Sequence, residues 1–345
     1  MPALDVRTSS KIAGFGLVCA FFVVMLHVPQ PLPVDSSSSA WWLVHLTAGT
    51  FGRLGVPFYF VASGFFLARH SAEPSWWRRE TVKRLSSLMV PFVLWLTLWN
   101  VAEGVLAVLS NFRSGANLID GLPYGWALLT RLGIDPFDYP SDIPLWFVRS
   151  LLLYVAASCV LIPALKKAGF VLPAAVLILS AALRLADGSS DVCRFLSRFV
   201  SLHGLFYFLV GASLSLGVLR MPAKNAFWAI FCAAGVVGLF ASQFLAACNV
   251  SWWGVLHEFS LPFALLAAWR VFPHVAWPSS LTSLTFPVYV LHVFVIRALD
   301  IAMYGDMSCP GLVLKFIVVC VVSLLAAAMS RRCLPRFHSF AFGGR

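Results

Sequence analysis

The sequence predicts an all-α integral membrane protein, with about ten transmembrane helices in one bundle and both termini in the cytoplasm. Three observations predict it. Of 345 residues, 60% are hydrophobic and only 11% charged, whereas a soluble protein carries about a quarter charged residues. Mean hydropathy is +0.86, and the apolar residues gather into runs of bilayer-crossing length separated by basic or Pro/Gly-rich breaks. This balance excludes a soluble enzyme, a disordered chain, a secreted disulfide scaffold and a nucleic-acid-binding domain. The net charge of +11 reads as basic loops against anionic lipid, so membrane lipid is an implied partner and nucleic acid is not.

The runs follow in order. Residues 12–28 come after Arg7 and Lys11 and end at His27-Val28-Pro29 without a small-x-small cleavage site, so this run is expected to stay as an anchor. Residues 54–68 form a short run between Arg53 and Arg69. Residues 85–109 follow the basic cluster Arg78-Arg79-Glu80-Thr81-Val82-Lys83-Arg84 and contain Pro91 and Glu103. Residues 145–165 open after Pro144 and stop at Lys166-Lys167, and residues 170–185 form a second short run. Residues 199–219 stop at Arg220, followed by 226–248, by 255–272 with His257 and Glu258 near its start, by 281–301 around His292, and by 312–329 before Arg331-Arg332. The chain is read as one domain, 1–345, with a short basic cytoplasmic tail at 331–345.

An inside N-terminus gathers Arg7, Lys11, Arg78, Arg79, Lys83, Arg84, Lys166, Lys167, Arg331 and Arg332 on the cytoplasmic face and puts Asp135 and Asp138 outside. The segment 110–144 carries Trp126 and Tyr139 among Gly, Asp and Pro, and reads as a re-entrant or capping loop. No repeat of fixed period is evident, which weighs against an inverted-repeat carrier. Eight cysteines without a Cys-x-x-Cys pair predict neither a metal site nor a disulfide framework.

Ionisable side chains inside apolar runs need a partner, a wet cavity or a role. The topology gathers His27, Arg53, Arg149, His203, His257, Glu258 and His292 toward the outer half. The plain alternative is internal pairing, for instance Arg149 with Glu258. His27 stands apart, because an imidazole at a span end without a local carboxylate suits proton transfer near neutral pH. His203 and His257 read as interfacial histidines facing headgroups or loops, and the Trp pairs at span ends as interfacial belt residues.

The segment Gly55-Val56-Pro57-Phe58-Tyr59-Phe60-Val61-Ala62-Ser63-Gly64-Phe65-Phe66-Leu67 resembles the second span of the acyltransferase 3 family, bacterial multi-pass membrane O-acyltransferases acting on glycans. The first span ending in His27, Pro144 to Leu152 opening the fourth, and Leu284 to His292 in the ninth agree in order and spacing, as does Lys83-Arg84-Leu85 before Pro91-Phe92. The likeness covers roughly residues 10 to 330.

The resemblance implies transfer of an acyl group, usually acetyl, from cytoplasmic acyl-CoA to a hydroxyl of an envelope or extracellular glycan, in a bacterial inner membrane. His27 would be the catalytic base, with Arg149 stabilising the oxyanion or orienting the glycan. Arg53, Ser63, Trp146, Glu258, Tyr289 and His292 are the substrate-binding candidates. Lys11, Lys83 and Arg84 are the candidates for the CoA phosphates. Many members carry an arginine eleven residues before the histidine, where this chain has Gly16. Lys11 lies five residues earlier, about 7.5 Å further along the helix. No permanently bound cofactor is implied; acyl-CoA is a donor substrate, and a glycan or lipid-linked saccharide the acceptor. Direct transfer and an acyl-enzyme stay open, as does a homo-oligomer. So do a transporter, or a non-catalytic accessory subunit, for a small solute or lipid-linked sugar.

Overall fold

A computed structural model describes residues 5–28, 42, 44–71, 75–115, 117, 119, 122, 131–141, 143–186, 190–223, 225–302 and 309–344. Among the described residues the regular structure is helical throughout, and each of the ten apolar runs falls on a helix. These are α1 Val6–His27, α2 Gly55–Ala68, α3 Trp76–Ser114, α4 Trp146–Ala168, α5 Val171–Leu185, α6 Leu202–Leu216, α7 Ala226–Ala247, α8 Trp253–Val271, α9 Thr285–Ala302 and α10 Cys309–Cys333. A short α11, Pro335–Ala341, follows. By length and composition, seven spans among the described residues can cross a membrane unaided. An eighth joins Asp191–Phe199 to α6 through a 41° bend. α5 is shorter, and α8 carries His257, Glu258 and Arg270.

Local chemistry sets several boundaries. Asp5 caps α1, accepting from the Thr8 hydroxyl and amide at 2.7 Å, and these bonds hold its carboxyl below the ordinary carboxylate range. α3 is much longer than the expected 85–109 run. Its 39 residues extend about 58 Å at 1.5 Å per residue, roughly twice the hydrocarbon thickness. The basic cluster therefore forms the first turns of this helix, and residues 110–114 are helical, not loop as expected. Of the loop aromatics, Tyr139 is described, whereas Trp126 lies outside the described residues.

The second apolar unit starts earlier than 54. Residues Leu46–Ala68 form one apolar stretch of 23 residues, entered through a wide turn, Val44–Ala48, and a tight one, Gly52–Leu54. Packing explains this irregular start. A Cβ on Gly52 would stand 2.7 Å from Leu26 Cβ, and one on Gly55 would stand 2.6 Å from the Cys19 carbonyl oxygen. The missing side chains let this segment press onto α1 beside His27.

α1 is central, packed between α2 and α9. α2 and α6 cross still more closely: a Cβ on Gly64 would meet Phe208 O at 2.0 Å, and one on Gly211 would meet Val61 O at 1.9 Å. Such small-residue contacts are how helices associate where lipid removes the hydrophobic drive. Ion pairs add to the packing. Arg297 of α9 binds Glu103 of α3 at 2.8 Å, and Lys315 of α10 pairs with Asp300 and donates to Val28 O at 3.0 Å. Outward-facing Ile230 and Val237 on α7, and Leu314, Ile317, Val321 and Leu325 on α10, are exposed, as a lipid-facing surface requires.

The segment read as a short basic tail, 331–345, includes the end of α10 and the short helix α11. Trp95 Nε1 donates to Ala341 O at 2.7 Å and its ring stacks on Phe342, and His338 is buried. This docks α11 onto α3.

Candidate functional site

Two cavities lie along the bundle. The larger, about 660 Å³, opens where α1 and α5 end and α2, α4, α6 and α8 begin; His27, Arg53, Trp146, Arg184, Arg198, His203, Trp253, His257 and Tyr289 are among its lining residues. The smaller, about 390 Å³, lies toward the opposite end, where α2 ends and α3 and α9 begin; Tyr59, Ser63, Phe66, Arg84, Phe147, Thr285 and Tyr289 line it. Tyr289 belongs to both walls. Its hydroxyl donates to Pro144 O, and its ring packs on Tyr59 at 5.9 Å and Phe147 at 5.6 Å, which lie 5.7 Å from each other. Three aromatic rings thus stand between the two spaces.

His27, on the last turn of α1, is half-buried on the wall of the larger cavity. Its ring centroid lies 5.5 Å from that of His292 on α9, which is wholly buried. His292 Nδ1 stands 2.6 Å from Tyr289 O. A carbonyl only accepts, so Nδ1 carries the proton and Nε2 keeps its lone pair. That Nε2 is buried and has no hydrogen-bond partner. The pairing of these two histidines agrees with the sequence grouping, and its basis is the parallel packing of α1 and α9.

Arg53 and Trp146 also line the larger cavity. Glu258 lies just behind its lining, wholly buried, with Oε1 taken by Arg184 Nη2 at 2.7 Å and Oε2 by His203 Nδ1 at 2.7 Å. The suggested pairing of Glu258 with Arg149 is therefore incorrect. His257 is buried between Ser242 Oγ at 3.5 Å and Gln243 Nε2 at 3.4 Å, and His203 Nδ1 lies 2.7 Å from Glu258 Oε2, so neither is the interfacial histidine expected.

Arg149 is the clearest displacement from expectation, since it lines neither cavity. Its Nη1 donates to the carbonyls of Gly133, Asp135 and Asp138, and its Nη2 to Arg198 O, all at 3.0 to 3.2 Å. The guanidinium thus ties residues 131–141 to the segment before α6, and its terminal nitrogens are committed to carbonyls and not to an oxyanion.

Ser63 lines the smaller cavity and not the larger one, because it lies two turns beyond the start of α2. Arg84 lines the smaller cavity and pairs with Glu80 at 3.7 Å. Lys83, its neighbour, points to the exposed face of α3 and lines neither space. Lys11 is 2% exposed, with Nζ 3.1 Å from His274 Nε2 and 4.4 Å from the Trp269 ring centroid, and it too lines neither space. A Cβ on Gly16 would meet Phe58, Tyr59 and Thr285 at 3.6 to 3.9 Å, which is ordinary contact beside the smaller cavity.

Arg184, Arg198, Tyr59 and Phe147 are site residues that the sequence did not single out. For Arg184 a signal existed: a carboxylate in an apolar run demands a cation within reach, and Arg184 closes the fifth run. Among the described residues, no three His, Cys, Asp or Glu side chains come together as a metal would require.

Neither the curated proteins nor the solved structures give a match to this chain. Residues 17–331 match the family model described as an acyltransferase domain, that of acyltransferase 3. With that domain spread over an all-α bundle of apolar helices, the chain belongs to the acyltransferase 3 family and is a multi-pass membrane acyltransferase.

Proposed function

We propose that this enzyme moves an acetyl group from acyl-CoA to a hydroxyl of an envelope glycan in the cytoplasmic membrane of a bacterium, with His27 as general base. The observation that carries this reading is the placement of His27 on the larger cavity, one aromatic layer away from a second cavity at the basic end of α3. The basic end suits cytoplasmic CoA, both through the positive-inside bias and because Arg84 is available to its phosphates. The glycan enters the His27 cavity, where Trp146 and Trp253 offer flat apolar faces to sugar rings.

In the transfer, the sugar oxygen bonds to the thioester carbonyl carbon while its proton passes to a ring nitrogen of His27. The C–S bond then breaks, the CoA thiolate takes that proton back, and an ester and free CoA remain. His292 positions the base. With its proton fixed on Nδ1 by Tyr289 O, Nε2 offers a lone pair to a His27 N–H once the rings close slightly or one water bridges them, leaving the other His27 nitrogen basic. Apo sites often hold such hydrogen bonds long.

The test is acceptor-dependent CoA release from acetyl-CoA by protein in lipid nanodiscs, with mixed bacterial glycan. His27→Ala lowers it by about 100-fold or more, the range for loss of a general base. Full activity at equal expression overturns the assignment. A transporter would ignore acetyl-CoA.

A further inference from the structure

Charge inside the larger cavity points to the acceptor. Among the described residues, three arginines and three histidines line it, and neither Asp nor Glu does. Two of the arginines have carboxylates: Arg184 binds Glu258, and Arg198 Nη1 lies 3.1 Å from Asp138 Oδ1. Arg53 has none. Among the described residues it makes no hydrogen bond or ion pair, its Nε is buried and unbonded, and the Trp253 ring lies 5.8 Å from its Cζ. Arg53 is partly exposed on the cavity wall, and a guanidinium there with no bonded carboxylate is placed to take up an anion that enters the cavity. The local backbone makes the placement rigid, because Arg53 sits on the tight turn Gly52–Leu54, clamped to α1 through Gly52 and Gly55.

Glu258 acts on Arg53 only through space, and Arg184 beside it opposes that attraction. Both oxygens of Glu258 are engaged and it is wholly buried. Among the described residues, Arg53 is thus the lining arginine with no carboxylate bonded to it, and its fork suits two oxygens of a carboxylate or phosphate.

We propose that the acceptor is an anionic glycan, bound through one carboxylate or phosphate on Arg53, so that the same site that reads a sugar hydroxyl also reads a fixed negative charge beside it. This rests on the acyltransfer reading for the hydroxyl but not for the charge. The anion has two chemical sources: a sugar acid within the glycan, or the phosphate of a sugar phosphate or lipid carrier.

The experiment uses the full chain in neutral-lipid nanodiscs, with wild type, Arg53→Gln and Arg53→Lys. Binding is followed by tryptophan fluorescence with cellobiose, its uronic-acid counterpart, glucose and glucose 1-phosphate. Acetyl-CoA binding is measured alongside, and CoA release with matched neutral and anionic oligosaccharides. The expected result is at least tenfold tighter binding of one anionic probe than of its neutral match, a preference weakened by salt, lost in Arg53→Gln and partly kept in Arg53→Lys. A preference for the uronate assigns a sugar acid, and one for glucose 1-phosphate assigns a phosphate. Equal binding of charged and neutral probes by wild type overturns the proposal, as does no binding of either at millimolar concentration. Equal loss of CoA release for both acceptors in Arg53→Gln, with binding unchanged, also overturns it, assigning Arg53 to the oxyanion. If Arg53→Gln fails to fold, wild-type preference and its salt dependence decide. An anion preference without acetyl-CoA binding or CoA release leaves this proposal standing and removes the acyltransfer reading.

Discussion

His292 illustrates how much one buried nitrogen can determine. Its Nδ1 is spent on Tyr289 O and its Nε2 is buried without a partner, a cost that structures rarely keep without a use. Replacing it by Asn keeps a donor for the carbonyl but removes the ring lone pair. If that lone pair orients His27 by a single hydrogen bond worth about 1.4 kcal/mol, turnover falls by roughly tenfold. The KM for acetyl-CoA stays unchanged, because the donor cavity is untouched. Steady-state kinetics with both substrates varied checks this, and an unchanged turnover removes His292 from the mechanism. Arg149 teaches the converse lesson at the same scale. Its charge and position near the opening of the fourth run suggested chemistry, yet its Nη atoms hold backbone carbonyls. Sequence gives a side chain's donors but not which acceptors the fold brings to them.

At the scale of elements, the crossing of α2 with α6 is the contact least able to accommodate change. Both helices approach backbone to backbone, with Gly211 against Val61 O and Gly64 against Phe208 O. Gly211→Ala would force a Cβ to within 1.9 Å of a carbonyl oxygen, so the helices must separate. Overpacking of this kind costs typically about 1–3 kcal/mol, occasionally more. A lower thermal midpoint in detergent and less monodisperse protein are the expected outcomes; an unchanged midpoint would show that the crossing relaxes freely. Run length in the sequence located both helices, because apolar residues must extend across lipid wherever the helix lies. It missed the irregular start of the second unit and the docking of α11. Both depend on a partner surface, α1 in one case and Trp95 in the other, that hydropathy does not describe.

Across the whole molecule, the proposed transfer relies on two cavities kept apart. Tyr289, Tyr59 and Phe147 fill the space between the basic end and the His27 end, and under the proposed transfer they would keep water from the thioester. Tyr289→Ala joins the cavities and removes the bond to Pro144 O. Acceptor-independent CoA release is therefore expected to rise several-fold while transfer to glycan falls, as measured by CoA release with and without acceptor. A fall in both would mean that Tyr289 serves binding and not separation. The sequence by itself determined the helical membrane class, the ten apolar runs, the family and His27 at the end of its helix. Each of these is written in composition, run length or a contiguous motif. Only the tertiary structure decided that Glu258 meets Arg184 and His203, that Arg149 clamps a loop, that Ser63 and Arg84 share one cavity, and that Arg53 is left unpaired in the other. Those outcomes depend on how each helix is rotated and how closely glycines let it approach its neighbours, and hydrophobicity along a single run carries neither quantity.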